Sequence, residues 1–116
     1  MIFMTNVKFL RDKNSNISHF EVSGHSGYAD AGSDIICSAV SSAVNLVICQ
    51  LSETFAFDID YKICPEKAFF ECSILESEKN SMSRDTISAI LEALYIFFSD
   101  MQKQYPQFIK CNSTEV

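Results

Sequence analysis

Glycine is scarce in this sequence, with three in 116 residues. All three, Gly24, Gly27 and Gly32, fall inside a stretch of nine residues, so the remainder of the chain folds without any. Basic charge is also short. Nine Lys and Arg stand against fifteen Asp and Glu, a formal charge of -6. Neutralising a phosphate backbone needs the opposite balance, which excludes direct nucleic-acid binding and favours a basic protein or peptide as partner. Neither G-x-x-x-x-G-K-[ST] nor G-x-G-x-x-G occurs, so the glycines form no phosphate cradle of known type. No C-x-x-C pair occurs among Cys37, Cys49, Cys64, Cys72 and Cys111. An odd number at irregular spacing fits neither a zinc ligand set nor a secreted disulfide framework, so no metal and no cofactor are expected, and reduced thiols point to the cytoplasm. No charged-then-apolar leader opens the chain, and no apolar run reaches the roughly 18 residues of a membrane span, so no membrane association is expected.

What is present is one domain, residues 1–116, with no repeat, low-complexity segment or internal linker. A chain of this length buries roughly two thirds of its unfolded surface. Residues 1–10 read as a strand with Phe3, Val7 and Phe9 on one face, residues 11–16 as a polar turn, and residues 17–23 as a second strand with Phe20 and Val22 inward. A helix is expected from about Asp34 to about Phe55, with the stripe Ile36, Val40, Ala43, Val44, Val47 and Leu51. Residues 56–63 alternate Phe57, Ile59, Tyr61 and Ile63 against Asp58, Asp60 and Lys62, the pattern of a half-buried strand. After the turn at Pro65, Ala68, Phe70, Cys72 and Ile74 alternate as a fourth strand. Asn80 to Ser83 supplies a loop, with Ser83 as N-cap of a second helix. That helix carries Ile87, Ile90, Leu91, Leu94, Phe97, Phe98 and Met101 and ends at Pro106. A last strand, Phe108 to Cys111, precedes a polar tail expected to fray. The order β-β-α-β-β-α-β predicts an α/β two-layer sandwich (α+β), a mixed sheet with two helices on one face.

The glycine-rich stretch, residues 24–41, runs into the first helix. Asp34 is placed to cap it, accepting bonds from first-turn N–H groups. Cys37 then falls at the third helical position, where unpaired N–H groups and the positive end of the helix dipole favour a thiolate. His25, at the end of the second strand, is the imidazole able to stabilise that thiolate and later protonate a leaving amine. The same first-turn N–H groups could receive a developing oxyanion. Each residue has a plainer reading. Cysteine is commonly a small core hydrophobe, which fits Cys72 on an inward strand slot, and His25 could bond its own backbone. His19, with Glu21 on the outward face of its strand, reads as solvated. Position singles out Cys37, the cysteine with both a helix start and a loop histidine beside it.

The residues Gly24, His25, Tyr28, Ala29, Gly32, Asp34, Ile35, Ile36, Cys37 and Ser41, in the pattern G-H-x-x-Y-A-x-x-G-x-D-I-[IV]-C-x-x-x-S, resemble the signature of the bacterial ribosomal-processing cysteine protease family. The likeness extends to chain length, element order and the Y-P-Q-F-I sequence after the second helix. Ser26 stands where many members have alanine, and Ser38 and Val40 are larger than usual. The resemblance implies a homodimeric cysteine endopeptidase that removes a short N-terminal extension from a large-subunit ribosomal protein. It implies Cys37 as nucleophile, His25 as general acid/base, Asp34 and Ser41 as supporting residues, and a mobile loop over the cleft that includes Gly24, Ser26, Gly27, Tyr28 and Gly32. A different class of function fits the same acidity, a non-catalytic adaptor docking on a basic ribosomal-protein tail. A third is a thiol hydrolase of small acyl compounds.

Overall fold

The computed structural model describes residues 4–24, 35–64, 68–79 and 82–115. Five strands, β1 (Thr5–Arg11), β2 (Ile17–Ser23), β3 (Ile59–Cys64), β4 (Phe69–Ile74) and β5 (Ile109–Glu115), form one sheet in the order β3-β4-β2-β1-β5. Among the described residues only β1 and β5 pair in parallel, so the sheet is mixed as expected. The helices are α1 (Ile35–Cys49), the single-turn α2 (Glu76–Lys79) and α3 (Arg84–Gln104).

Alternation along the strands sets which face is dry. Val7, Phe9, Phe20, Val22, Phe70, Cys72, Ile74 and Ile109 are buried on one side of the sheet, and α1 and α3 cover them. α1 contributes Ile36, Val40, Val44 and Val47 of the stripe read from its spacing, together with Ile48; Leu51 is buried in the turn that follows, and Ala43 is half-buried. α3 contributes Ile87, Leu91, Leu94, Phe98 and Met101. Phe9 joins the layers, its ring centroid 5.8 Å from Phe20, 6.4 Å from Phe98 and 5.3 Å from an edge-on Tyr95. The opposite face is polar, with Lys8 beside Glu21, Glu21 beside Glu71 and Glu71 beside Lys62 across the strands.

The β1–β2 hairpin turns on Asp12, whose carboxylate accepts from the N–H groups of Asn14 (2.8 Å) and Asn16 (3.1 Å), an Asx-type turn. Arg84 at the start of α3 pairs with the same carboxylate, and Arg11 pairs with Glu92. These pairs tie the hairpin to the helix layer.

Several sequence expectations need correction. α1 continues to its expected end as a π-helical turn over Gln50–Thr54, with the Phe55 N–H bonded to the Gln50 carbonyl at 3.0 Å. The Ser52 hydroxyl bonds back to the Ile48 carbonyl at 2.7 Å, a contact that commonly distorts helices. The stretch Ile35–Thr54 is also long and apolar enough, by length and composition alone, to cross a membrane, with a mean hydropathy of 1.8. Its serines interrupt any continuous apolar run without bringing the average down, and its buried stripe packs in the core. Ser83 occupies the position before α3, but its hydroxyl donates to Glu78 Oε1 (2.7 Å) rather than capping the first turn. β5 runs four residues beyond Cys111 because β1 offers it a complete parallel partner from Thr5 to Arg11, so this segment pairs instead of fraying. Phe97 is exposed rather than core. β3 is half-buried only at its start. Phe57 and Ile59 pack against the core, whereas Tyr61 is 47% and Ile63 37% exposed on this edge of the sheet. Finally, left-handed backbone is not confined to glycine, since Ser15, Ala56 and Ala68 also have positive φ.

Candidate active site

Gly24 closes β2 at φ +86°, and a Cβ on it would lie 2.5 Å from the Met4 carbonyl oxygen. Here glycine is required twice over, by a left-handed backbone and by the close passage of β1. His25, Ser26, Gly27, Tyr28, Gly32 and Asp34 lie outside the described residues. Description resumes at Ile35, the first residue of α1.

Cys37 is the third residue of that helix and is half-buried. Its position is the one the sequence assigned, among first-turn N–H groups that have no intrahelical acceptor. The first turn of α1 contains no acidic side chain to oppose the positive end of the dipole. Ser41, also half-buried, follows one turn later on the same flank.

The orientation of that flank follows from the groove between the helices. Ala39, Ala43 and Leu46 of α1 face Ala89, Ala93 and Phe97 of α3 across an open apolar groove of about 700 Å³. Successive helical residues turn by about 100°, which puts Cys37 about 160° from Ala39 and about 180° from Leu46. The groove therefore belongs to the far side of α1 from the thiol. Since α3 lies over β5 and reaches β2, the Cys37 flank of α1 points toward β4 and β3.

The other thiols sit in different surroundings. All five cysteines are thiols, and all are among the described residues. Burial pushes Cys72 up to about 12, with the Asp60 carboxylate adding to the effect. Burial likewise pushes Cys111 up to about 11, against a contact with the Ser99 hydroxyl. Both are core residues, as the plainer reading had it for Cys72. Cys64 is half-buried at the end of β3, and Cys49 is exposed at the end of α1.

His19 lies on the polar face of the sheet, away from the helices. Its Nδ1 is 2.7 Å from the Ser73 hydroxyl and its Nε2 is 3.8 Å from the Glu21 carboxylate. With Glu71 these side chains bring potential ligand atoms within 4.8 Å of one another. The sheet separates this cluster from Cys37.

The described part of the candidate site is a two-layer sandwich with a cysteine in the first turn of a helix covering the sheet, entered from a glycine-rich segment. The family model described as cysteine protease Prp matches residues 4–110, and the chain belongs to that family. It is a cysteine protease. No curated protein matches the sequence. Among solved structures, the ribosomal processing protease Prp from S. aureus with a covalently linked product peptide superposes with a TM-score of 0.82 at 14% identity, over 96% of this chain and 100% of that one. The same protease with a substrate peptide gives 0.80 at 14% identity, over 96% and 100%. SMU.848 from Streptococcus mutans gives 0.77 at 15% identity, over 97% and 99%. At such identities the likeness establishes the fold, and the family match establishes the class.

Proposed function

We propose that this protein is a ribosomal-processing endopeptidase in which Cys37 and His25 form the catalytic dyad. The observation that carries the reading is the seat of Cys37 in the first turn of α1, on the flank away from α3. A second supports it. The chain has two histidines, and His19 lies across the sheet, which supports His25 as the imidazole proposed to act on Cys37.

In this scheme the Cys37 thiolate attacks the scissile carbonyl, forming a C–S bond and a tetrahedral oxyanion held by first-turn N–H groups. The C–N bond breaks as the imidazolium of His25 protonates the leaving amine. Water, deprotonated by the same imidazole, then hydrolyses the thioester and restores the thiol. Asp34 caps α1 or orients His25, and Ser41 supports the thiol from the next turn. The segment with Gly24, Ser26, Gly27, Tyr28 and Gly32 closes over the substrate and completes the site.

The substrate proposed is the N-terminal extension of a large-subunit ribosomal protein. The S. aureus relative is a ribosomal processing protease seen with a substrate peptide, and a charge of -6 suits a basic tail here. A homodimer and a cytoplasmic location belong to the same proposal. Leu46, Ile96 and Phe97 on the helix layer, and Leu75 after β4, are exposed apolar side chains that a second copy would cover.

The test is a synthetic peptide spanning the extension junction. Wild type cuts it, while Cys37→Ala and His25→Ala bind it without cutting. Cleavage by Cys37→Ala at the wild-type rate ends the reading. A peptide aldehyde should form a hemithioacetal at Cys37, and an active protein that forms none removes the oxyanion role.

A further inference from the structure

β3 ends the sheet, and among the described residues no strand pairs with its outer edge. The Leu75 N–H donates to the Asp58 carbonyl at 3.3 Å, and the register continues Ile59 opposite Ile74, Tyr61 opposite Cys72 and Ile63 opposite Phe70. Bonded and non-bonded pairs alternate in an antiparallel ladder. Asp58, Asp60 and Lys62 therefore spend their backbone groups on β4, while Ile59, Tyr61 and Ile63 turn N–H and C=O outward. The same three residues carry side chains on the α1 side of the sheet, since their partners Ile74, Cys72 and Phe70 are buried there.

This edge combines open backbone groups with apolar side chains, the combination that invites another strand. Tyr61 and Ile63 are exposed, and Phe57, on the same side, stacks on Phe55 at 5.2 Å. From Phe57 to Ile63 the track is roughly 20 Å long. The opposite edge differs. β5 ends in Asn112, Ser113, Thr114 and Glu115, and α3 lies over its start.

The open edge also leads to the thiol. α1 begins at the end of the sheet where β2 and β3 finish and β4 starts, because it follows β2 and returns to the start of β3. Its Cys37 flank points toward β4 and β3. The Phe57 N–H bonds the Leu51 carbonyl at 2.8 Å, and from that point the helix rises about 21 Å back to Cys37 and the strand about 20 Å on to Ile63, which puts Ile63 near the level of Cys37.

We infer that the peptide substrate binds as a sixth strand on the outer edge of β3, bonded to Tyr61 and Ile63 and led by them to Cys37. This is strand addition, in which backbone bonds supply affinity and alternate side chains supply specificity. It rests on the protease reading above and adds a specificity rule: apolar residues at alternate positions on one side of the scissile bond. Tyr61 and Ile63 are the residues that select them.

Amide hydrogen exchange on the Cys37→Ala chain, with the junction peptide that wild type is first shown to cut, tests the inference. With peptide at one hundred times its Kd, exchange at the outward Tyr61 and Ile63 amides, which make no ladder bond to β4, slows about a hundred-fold. Tyr61→Ser and Ile63→Ser, folded by their thermal melts, each raise KM about ten-fold at unchanged kcat. Binding and cleavage without added protection at Tyr61 and Ile63 overturn the inference and leave the protease reading standing. Protection without peptide that grows with protein concentration assigns the edge to a second copy and overturns it too. Failure of wild type to cut sinks the protease reading and this inference with it.

Discussion

Replacing Gly24 by alanine perturbs the point where the sheet hands the chain to the active-site segment. The residue sits at φ +86°, and an L side chain held left-handed costs roughly 1–2 kcal/mol. The added Cβ would also stand 2.5 Å from the Met4 carbonyl oxygen. Carbon and oxygen without a covalent bond settle near 3.3 Å or beyond, so Met4 would have to retreat by about 0.8 Å. Met4 leads directly into β1, which is paired on both sides, so that retreat strains the centre of the sheet. Forcing atoms into an occupied space costs typically 1–3 kcal/mol, for a total of about 2–5 kcal/mol. At about 2.1 cal/mol/K per residue, a chain of 116 residues loses about 4 °C of melting temperature per kcal/mol, so the variant should melt at least about 8 °C below wild type. Circular dichroism melts and urea midpoints measure it. Gly24→Asn separates the two causes, because asparagine tolerates left-handed backbone yet keeps the Cβ. It should fall between wild type and Gly24→Ala. A Gly24→Ala melt within about 2 °C of wild type refutes the reasoning.

Thiol labelling distinguishes an activated cysteine from an accessible one. Iodoacetamide at pH 6 to 7 should label half-buried Cys37 before exposed Cys49, with Cys72 and Cys111 last, since burial holds their thiols near 12 and 11. Labelling of Cys49 ahead of Cys37, followed by peptide mass mapping, contradicts activation. Acid titration probes the hairpin anchor. Burial alone would raise the Asp12 carboxyl, but the N–H groups of Asn14 and Asn16 and the Arg84 guanidinium outweigh it and hold the group below the usual carboxylate range. A lowered folded-state value means stability that is present above the unfolded value of about 3.9 and lost as pH falls below it. Urea midpoints from pH 7 to pH 3 should therefore fall more steeply for wild type than for Asp12→Asn. Parallel acid limbs contradict that assignment.

The sequence by itself determined most of the elements and the place of Cys37 at a helix start. The helical spacing of Ile36, Val40, Val44 and Val47 and the two-residue alternation of Phe70, Cys72 and Ile74 are local, so they could be read without knowing what packs on what. Gly24 was legible for the same reason, because a glycine confined to one stretch marks a backbone demand. The place of Cys37 in a helix start followed from the residues around it, and the family signature followed from their order.

Tertiary structure alone decided which strand is an edge. Phe57, Ile59, Tyr61 and Ile63 alternate as regularly as any core strand, and the pattern does not record whether a helix lies above them. β5 shows the converse. Its polar residues Asn112 to Glu115 looked unable to hold a strand, yet backbone pairing with β1 needs no apolar side chain. Ser83 looked like a cap until Glu78, brought near by a helical turn that the sequence did not announce, took its hydroxyl. His19 lies in β2, one residue from inward Phe20, and only the sheet puts its ring on the face away from Cys37. In each case the deciding contact joins residues far apart in sequence, or closes through a turn, so it arises from packing geometry and leaves no periodic trace in the chain.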